Sequence, residues 1–347
     1  MKKYFKLSAL AVAAGLFSAH GMAAAGALPQ VTMMVGGIDK QIYLPYQLAQ
    51  NLGFFKKYGV DMQLSTEHSG GVGAEEAMLS GQVDMSGAWY EHTIEFQQMG
   101  KDVIDIVQLS GAPGEREMCT SASGIKTPAD WKGKTVGVTD LGSGTDDLTL
   151  YLASRHALAS KDFTRVGVGA GPTMIGALQH DRIVCGMTTQ PTVNAIEKMK
   201  VGYSAIDLAT GDGVKKWLGG YLPSASVLAR ADWVKAHPVE TQAVVNAMVA
   251  TMRWISTHSA AEIADNLPAD FVSNPLSTRE EYINALTKDK GQFLPDGMMP
   301  KGGPETVLKI EQAVGKITKP VNLETTYTNA YVIKANAMLD AEAKAGK

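Results

Sequence analysis

The chain has 347 residues, of which 45% are hydrophobic and 19% are charged, and its formal net charge at pH 7 is -3. This balance, with an isoelectric point near 6.2, excludes electrostatic attraction to nucleic acid or to an anionic membrane surface as the basis of function. Function must therefore be sought in local features of the sequence.

The N-terminus has the pattern of a secretory signal peptide. Three lysines within the first six residues precede an apolar run at 7–17 and small residues at 23–27, so residues 1–25 are predicted to be removed, with cleavage at about 23–27. The apolar run is roughly half the ~20 residues that span a bilayer; a buried or membrane-anchoring helix is the alternative. No cysteine lies near the cleavage region. A periplasmic mature chain without lipid anchor or membrane insertion is expected.

The mature chain opens with a strand and helix pattern that then recurs. An apolar strand runs into a glycine pair, a helix with one apolar face follows, and an alternating strand and a second short helix come next, as predicted for residues 31–35, 44–55, 61–66 and 74–79. This order favours a mostly parallel sheet covered by helices. Because about 320 mature residues exceed what one core usually organises, two lobes are predicted.

An internal echo supports the two lobes. Residues 77–85 (AMLSGQVDM) align without a gap on residues 177–185 (ALQHDRIVC), each predicting a helix end, a polar turn and an apolar strand. Residues 135–139 and the glycine loop after them mirror the opening strand. Two similar α/β lobes are therefore expected. Helices are predicted from Pro238 onward and are expected to wrap the first lobe.

In open parallel α/β sheets, ligands bind beyond the carboxyl ends of the strands. Two such lobes facing each other would place their strand-end loops on opposite walls of one cleft. The predicted strand ends, where binding residues are sought, are residues 36–38, 68–71, 87–91, 141–146 and 188–191.

Three segments carry a family resemblance: residues 44–60 (LPYQLAQNLGFFKKYGV), 124–138 (GIKTPADWKGKTVGV) and 233–238 (WVKAHP). Through them the chain resembles the nitrate/sulfonate/taurine-type substrate-binding proteins of ABC importers, which share their fold with thiamine-pyrimidine-synthesis proteins. The resemblance implies a class II periplasmic binding-protein fold of two Rossmann-like α/β lobes joined by two hinge crossovers.

The resemblance also implies lobe boundaries and partners. Residues 28–118 and 223–347 are expected to form lobe one with the C-terminal helices, and residues 119–222 to form lobe two. A small-molecule ligand, a permease and an ATPase are the implied partners of a monomeric chain, with no role for nucleic acid. Service to a sensor kinase or to another transporter class is the alternative.

One glycine loop is expected to hold the polar head of the ligand. Ser143, Gly144 and Thr145 stand where the family presents backbone N–H groups and hydroxyls to an anionic group, and a helix N-terminus attracts negative charge. Asp146 and Asp147 in the same turn oppose this or simply stabilise the helix. A carboxylate or sulfonate, including an aromatic one, is favoured, while a neutral or cationic ligand stays open.

Trp89, Tyr90 and Glu91 follow a predicted strand end on the first lobe. The two aromatic rings can offer flat contact area to an organic ligand or can fill the lobe core instead. Glu91 can accept a hydrogen bond from a ligand or lie solvated in a first helical turn.

Further candidates lie on other loops. His68, Ser69 and Gly70 form a facing loop in which glycine permits close backbone approach, although a simple turn explains the same residues. Gln190 corresponds to Tyr90 in the internal echo and can both donate and accept hydrogen bonds.

Arg116 and Tyr43 complete the set of ligand-binding candidates. Arg116 lies just before the first expected crossover and can clamp a carboxylate bidentately, whereas Glu115 and Glu117 offer it structural ion pairs. Tyr43 follows the opening loop. The return crossover, where hinge motion is absorbed, is predicted at residues 221–225.

Enzyme motifs are absent from the sequence. It has no His-Glu-x-x-His, no Gly-x-Ser-x-Gly, no P-loop, no zinc-spaced cysteines, and not the Cys-rich motif of the pyrimidine-synthesis branch. A non-enzyme without cofactor or metal is expected; catalysis on the same fold is the third hypothesis. For Cys119 and Cys185, two buried free thiols are favoured over a disulfide, because sequence does not supply the Cα separation that a bridge needs.

Overall fold

The computed structural model describes residues 27–67 and 70–346. The predicted signal peptide lies outside these ranges, and so do two of the ligand-binding candidates, His68 and Ser69. Within the described ranges every helix is too short or too polar to cross a membrane.

Within the described residues, ten strands form two five-stranded sheets. In chain order the strands are β1 Gln30–Val35, β2 Asp61–Thr66, β3 Met85–Trp89, β4 Val103–Gln108, β5 Arg116–Thr120, β6 Thr135–Val138, β7 Thr164–Gly167, β8 Cys185–Thr188, β9 Gly202–Asp207 and β10 Ala225–Arg230.

The two sheets have the same topology. Their strand orders are β2-β1-β3-β10-β4 and β7-β6-β8-β5-β9. In each sheet the three strands at one side run parallel, and the fourth strand is antiparallel to both neighbours. The fourth strand is β10 in the first sheet and β5 in the second. β10 returns to the first sheet after the chain has completed the second, whereas β5 to β9 are consecutive in the chain. The predicted pair of similar α/β lobes is therefore confirmed; the lobe built on β1 is called the first lobe and the other the second.

In the part of the chain that the structure describes, fifteen α-helices cover the sheets and extend from them. They are α1 Leu44–Asn51, α2 Phe54–Tyr58, α3 Gly71–Leu79, α4 Glu91–Gln98, α5 Gly144–Arg155, α6 Pro172–Gln179, α7 Thr192–Lys198, α8 Gly211–Leu218, α9 Ala231–Ala236, α10 Pro238–Thr257, α11 Ala260–Asp265, α12 Ala269–Val272, α13 Arg279–Asp289, α14 Gly303–Ala313 and α15 Ala330–Ala345.

The helix predicted over residues 44–55 is broken in two. Gly53 has φ +70°, a left-handed conformation that glycine adopts without steric cost, and α1 ends just before it. The apolar face continues across the break, because Leu48 and Phe55 are both fully buried. The periodicity was therefore correct about the buried face and wrong about the continuity of the helix.

Two crossover segments join the lobes and lie side by side. The first is the stretch between β4 and β5, and the second connects α8 to β10. Leu222 donates a backbone hydrogen bond to Gly111 at 3.0 Å, and Ser224 donates one to Ser110 at 3.3 Å. The two connections between the lobes therefore lie in one region of the molecule, the place where hinge changes in φ and ψ are absorbed in proteins that close by a hinge.

The C-terminal helices reach both lobes. α10 and α15 pack on each other and on β4 of the first lobe, whereas α14 packs on α4 of the first lobe and on α5 of the second. The sequence predicted these helices on the first lobe, and α14 adds a contact that local periodicity does not encode. The C-terminal segment thereby forms one side of the cleft.

The expectation of two free thiols is wrong. Cys119 and Cys185 are joined by a disulfide with S–S 2.04 Å, and both residues are fully buried. The reason is sheet topology: β5 and β8 are antiparallel neighbours, and these two cysteines are direct partners in their register. Their separation of 66 residues along the chain hides this proximity from sequence reasoning.

Candidate functional site

The strand-end loops of both lobes meet around one cavity, called here the interlobe cavity. The room inside it for a water-sized sphere is about 30 Å³, so the two lobes leave little open space between them. The first lobe lines it with Lys40, Ile42, Tyr43, Gly70, Gly71, Trp89 and His92, and the second side is lined by Glu115, Thr139, Ser143, Gly144 and Thr145.

The lobes touch where Trp89 faces Gly144. Trp89 ends β3 of the first lobe, and Gly144 begins α5 of the second. A Cβ atom built on Gly144 would overlap the six-membered ring of Trp89 and a carboxylate oxygen of Glu91. Only glycine permits this approach, so the structure is a closed arrangement of the two lobes.

Three hydroxyls of the second lobe form a triangle at the wall of the interlobe cavity. Thr139 and Thr145 lie 2.9 Å apart, Ser143 and Thr145 2.9 Å, and Thr139 and Ser143 3.1 Å, measured between their oxygens. Ser143 also donates to the carbonyl of Asp140 at 2.7 Å. Thr145 Oγ1 also accepts from the backbone N–H of Thr139 at 3.0 Å. Because three hydroxyl hydrogens can complete only three of the four hydroxyl contacts, the triangle has no free donor and has acceptor capacity to spare.

A second space, called here the acidic cavity, adjoins the first across Trp89 and Gly144. Its accessible volume is about 10 Å³, which is room for one group the size of a water molecule or an ammonium. Its remaining lining is Glu91, Asp147, Leu148, Leu222, Val307, Ile310 and Glu311. The first lobe, the second lobe, the return crossover and α14 all contribute to it.

Lys316 connects the lobes beside the acidic cavity. Its ammonium donates to Glu95 of α4 at 2.9 Å, to Asp147 of α5 at 2.6 Å and to the carbonyl of Gly142 at 3.0 Å. These bonds join the first lobe to the second. A further backbone bond from Gln41 to Gln190, 3.1 Å long, holds the opposite edge of the cleft.

Burial raises the pKa values of carboxyl groups that surround the cleft. It raises the pKa of Glu91 and of Glu311 well above the usual range, and it raises the pKa of Asp147 to about 7 against the opposing attraction of Lys316. Burial likewise raises the pKa of Glu115 to about 8. It lowers the pKa of His92 to about 4, so that imidazole is neutral near pH 7 and supplies no positive charge.

These shifts predict that the unliganded protein loses stability as the pH rises. Between its unfolded and folded pKa values, a buried carboxyl such as Glu115 or Asp147 is protonated only in the folded state, so the free energy of unfolding falls with increasing pH. We expect a loss of at least about 2 kcal/mol between pH 6.5 and pH 8 from these two groups, and the other buried carboxyls with raised pKa values, Glu91 and Glu311 among them, add to the same trend. His92 acts oppositely, but only below about pH 6.5. Urea denaturation across this range measures the effect.

The control for this pH dependence is Glu115→Gln, which removes one titrating group and should reduce the slope. A free energy of unfolding that is flat or increasing from pH 6.5 to pH 8 would contradict the prediction.

The structure brings most of the sequence-predicted binding residues to the cleft. Those that line one or both cavities are Trp89, Glu91, Ser143, Gly144, Thr145, Gly70 and Tyr43.

Tyr90 does not face the cleft. It is fully buried, its hydroxyl lies 2.5 Å from that of Thr326, and its ring packs edge-on against Tyr327. Side chains of successive strand-end residues point to opposite sides, so with Trp89 facing the second lobe its neighbour enters the first-lobe core. The prediction of ligand contact for Tyr90 is corrected accordingly.

Arg116 forms an ion pair with a residue that is far away in sequence. Its guanidinium donates two bonds of 2.8 Å to the Asp289 carboxylate at the end of α13. Asp207 adds a charge at 3.5 Å. The bidentate geometry predicted for a ligand carboxylate is therefore used within the protein, and neither Glu115 nor Glu117 is the partner.

The Gln190 side chain also forms hydrogen bonds within the protein. Its side-chain carbonyl accepts from the backbone N–H of Asn194 at 3.1 Å, and its amide donates to the Asn194 side chain at 3.2 Å. These bonds satisfy the first turn of α7, and Gln190 lines neither cavity.

Sequence reasoning missed several lining residues for different reasons. Thr139 ends a predicted strand just before the glycine loop and could have been included on that ground. Lys40 and Glu115 lie in loops without a motif. Asp147 was predicted to oppose an anion or to stabilise the helix, and Glu311 lies on a C-terminal helix with no sequence signal linking it to the cleft.

Two mixed α/β sheets of the same topology, joined by two crossovers and with a cavity at their facing strand ends, define the periplasmic-binding-protein fold. Residues 42–259, more than half of the chain, match the NMT1/THI5 like family, and the chain belongs to that family.

Two curated relatives illustrate the range of the family. YtlA of Bacillus subtilis, whose name describes a binding protein, is 22% identical over 285 residues, which cover 80% of this chain and 82% of YtlA. The 4-amino-5-hydroxymethyl-2-methylpyrimidine phosphate synthase of Uromyces fabae is 27% identical over 216 residues, covering 60% of this chain and 61% of the synthase.

Solved structures agree with the fold. A protein of Bordetella bronchiseptica RB50 is 30% identical with a TM-score of 0.83, covering 90% of this chain and 98% of its own. The alkanesulfonate-binding protein SsuA of Xanthomonas axonopodis pv. citri, solved with MOPS, is 18% identical with a TM-score of 0.67. The match covers 88% of this chain and 99% of SsuA. The periplasmic nitrate-binding protein NrtA of Synechocystis PCC 6803 is 15% identical with a TM-score of 0.73. The match covers 91% of this chain and 90% of NrtA.

Proposed function

We propose that this chain is the solute-binding subunit of an ABC-type importer, which captures a small organic molecule in the periplasm and delivers it to a permease and its ATPase. The observation that carries the proposal is the interlobe cavity, whose walls come from the strand ends of both lobes. A ligand that touches both walls favours the closed arrangement. The family and the binding proteins that share the fold support the same role.

The charges around the interlobe cavity oppose one another. Lys40 and the first turn of α5 would attract a carboxylate or sulfonate, the head group that the sequence favours. Glu115 lines the same cavity and Asp147 lies in the same helical turn, and both repel such a group. The cavity itself supports a small organic solute with a polar head.

The direct test is a thermal-shift screen of the purified chain against small carboxylates, sulfonates, nitrate and amines. A ligand present at about 100 times its dissociation constant adds roughly 2.7 kcal/mol to the free energy of unfolding. Absence of stabilisation by every compound class would count against solute capture. Once a ligand is known, loss of its uptake in a strain lacking this chain separates import from service to a sensor.

Trp89 is predicted to carry much of the contact with the organic part of the solute. Trp89→Ala removes the ring that lines both cavities and should weaken binding of the screened ligand by about 10- to 100-fold, in line with the loss of a buried aromatic contact. Titration calorimetry measures the change. Trp254→Ala is the matched control, since that ring stacks on His258 away from both cavities, and equal affinities in the two variants would refute the role of Trp89.

Catalysis is the competing role, since the family includes the pyrimidine phosphate synthase. The disulfide occupies both cysteines of the sequence, so neither can act as a thiolate nucleophile or metal ligand. We therefore propose a binding protein that is not an enzyme. Conversion of the bound solute during prolonged incubation with the purified chain, followed by mass spectrometry, would contradict this.

A further inference from the structure

The acidic cavity contains carboxylate oxygens without partners. Glu91 Oε1, Asp147 Oδ1 and Glu311 Oε2 have no hydrogen-bond partner among the described residues. The three residues are only 4%, 1% and 1% exposed, and all three line the cavity. A buried polar atom without a partner costs about 1–3 kcal/mol, more when charged, so these oxygens are placed to receive donors.

Among the described residues, acidic groups outnumber basic ones around this cavity. Glu91, Asp147, Glu311 and Glu95 form a group of four carboxyls, and Lys316 is the ammonium bonded within it. His92 lies 3.6 Å from Glu91 but its low pKa leaves it neutral. Buried carboxylates must be protonated or meet a cation, and a positively charged guest would meet this need.

The other residues that line the acidic cavity indicate the chemistry of the molecule that carries the positive charge. Leu148, Leu222, Val307 and Ile310 give the cavity an apolar side, and the Trp89 ring adds an aromatic surface that attracts ammonium groups. The hydroxyl triangle of the adjoining cavity has surplus acceptors, as shown above. Both features favour a guest that donates N–H bonds and has a hydrocarbon body.

A metal ion fits this place poorly. Oxygens of Glu95, Asp147 and Glu311 lie within 4.8 Å of one another, but the Lys316 ammonium is bonded to two of these residues. A divalent cation would have to displace that like charge. The apolar walls, too, offer none of the oxygen ligands that hard cations need.

We propose that the solute captured in the cleft carries a protonated amine, which binds Glu91, Asp147 and Glu311 in the acidic cavity while the rest of the molecule lies against Trp89. This rests on the proposed function as a solute-binding protein. The three carboxylates come from the first lobe, the second lobe and α14, so an ammonium among them holds the closed arrangement. The inference departs from the anionic ligand that the sequence favours.

The test uses matched probes at pH 7.5, where alkylamines are charged. Butyl-, pentyl-, benzyl- and phenethylamine are each compared, by thermal shift and calorimetry, with the alcohol and the carboxylate of the same skeleton. We expect stabilisation by amines and none by the matched carboxylates. Glu91→Gln and Glu311→Gln should each lower the affinity for the best amine at least ten-fold.

Glu117→Gln is the matched control variant. Glu117 is also a fully buried carboxyl without a hydrogen-bond partner, but it lines neither cavity, so its replacement should leave amine affinity unchanged. A stable fold in all three variants is checked by their thermal transitions without ligand.

The outcomes separate this inference from the proposed function. Stabilisation by carboxylates or sulfonates but not amines would refute the amine and leave solute capture standing. Amine binding that survives both Glu91→Gln and Glu311→Gln would place the cation elsewhere and also refute the inference. Failure of every probe, together with the anions screened above, would contradict both.

Discussion

Replacing Gly144 by alanine is expected to lower the affinity for solute at least 100-fold, equivalent to about 2.7 kcal/mol, while both lobes stay folded. The added Cβ would overlap the Trp89 ring and the Glu91 carboxylate of the opposite lobe. Gly144 is the first residue of α5 and its φ is not positive, so alanine suits its backbone. The overlap can be relieved by opening the cleft, which removes one wall from the ligand.

Titration calorimetry with the screened ligand measures this affinity, and small-angle scattering should show a larger radius of gyration for Gly144→Ala. Gly176→Ala is the matched control, because Gly176 lies within α6 of the same lobe and a Cβ there meets no atom within 4 Å. An affinity within three-fold of the wild type for Gly144→Ala would show that closure does not depend on this contact.

The second large effect is expected from removal of the disulfide. The bridge closes a loop of 66 residues in the unfolded chain, for which the loop-entropy relation gives a stabilisation of about 4 kcal/mol. The variant Cys119→Ala/Cys185→Ala should lose about that amount in urea denaturation. The second lobe, which holds both cysteines, should unfold first.

Reductant provides the internal control for this prediction. The wild-type chain should approach the stability of the double variant when denatured with dithiothreitol, whereas the double variant should not respond to it. Equal stability of the wild type with and without reductant, once reduction is verified by thiol titration, would contradict a stabilising bridge.

Local patterns in the sequence were sufficient to predict strands and the repeat of one α/β unit in two lobes. Asp61–Thr66 was predicted as a strand with the bounds that the structure has, because alternation of apolar and polar residues is a property of adjacent positions. The echo of residues 77–85 and 177–185 fell on equivalent helix and strand pairs, since both lobes repeat one sheet topology. The ends of β3 and β6 supplied the cleft residues Trp89 and Ser143.

The hydrogen-bond and ion-pair partners of individual polar side chains could not be predicted from local patterns in the sequence. Arg116 bonds to Asp289, 173 residues away, and Lys316 bonds to Asp147, 169 residues away. Whether a strand-end side chain enters the cleft or the core, as with Trp89 and Tyr90, depends on how the strand is rotated in its sheet. Hydrogen-bond partners chosen at such range leave no periodic signal.

The sequence by itself determined that two α/β lobes would face each other through glycine-containing strand-end loops, because periodicity and turn residues act over a few neighbouring positions. Only the tertiary structure decided the disulfide, the closure of Gly144 on Trp89 and the grouping of Glu91, Asp147 and Glu311 around one cavity. Those features depend on residues far apart in the chain that become neighbours only when both lobes and α14 pack together. The electrostatic character of the cleft is therefore a property of the assembled fold.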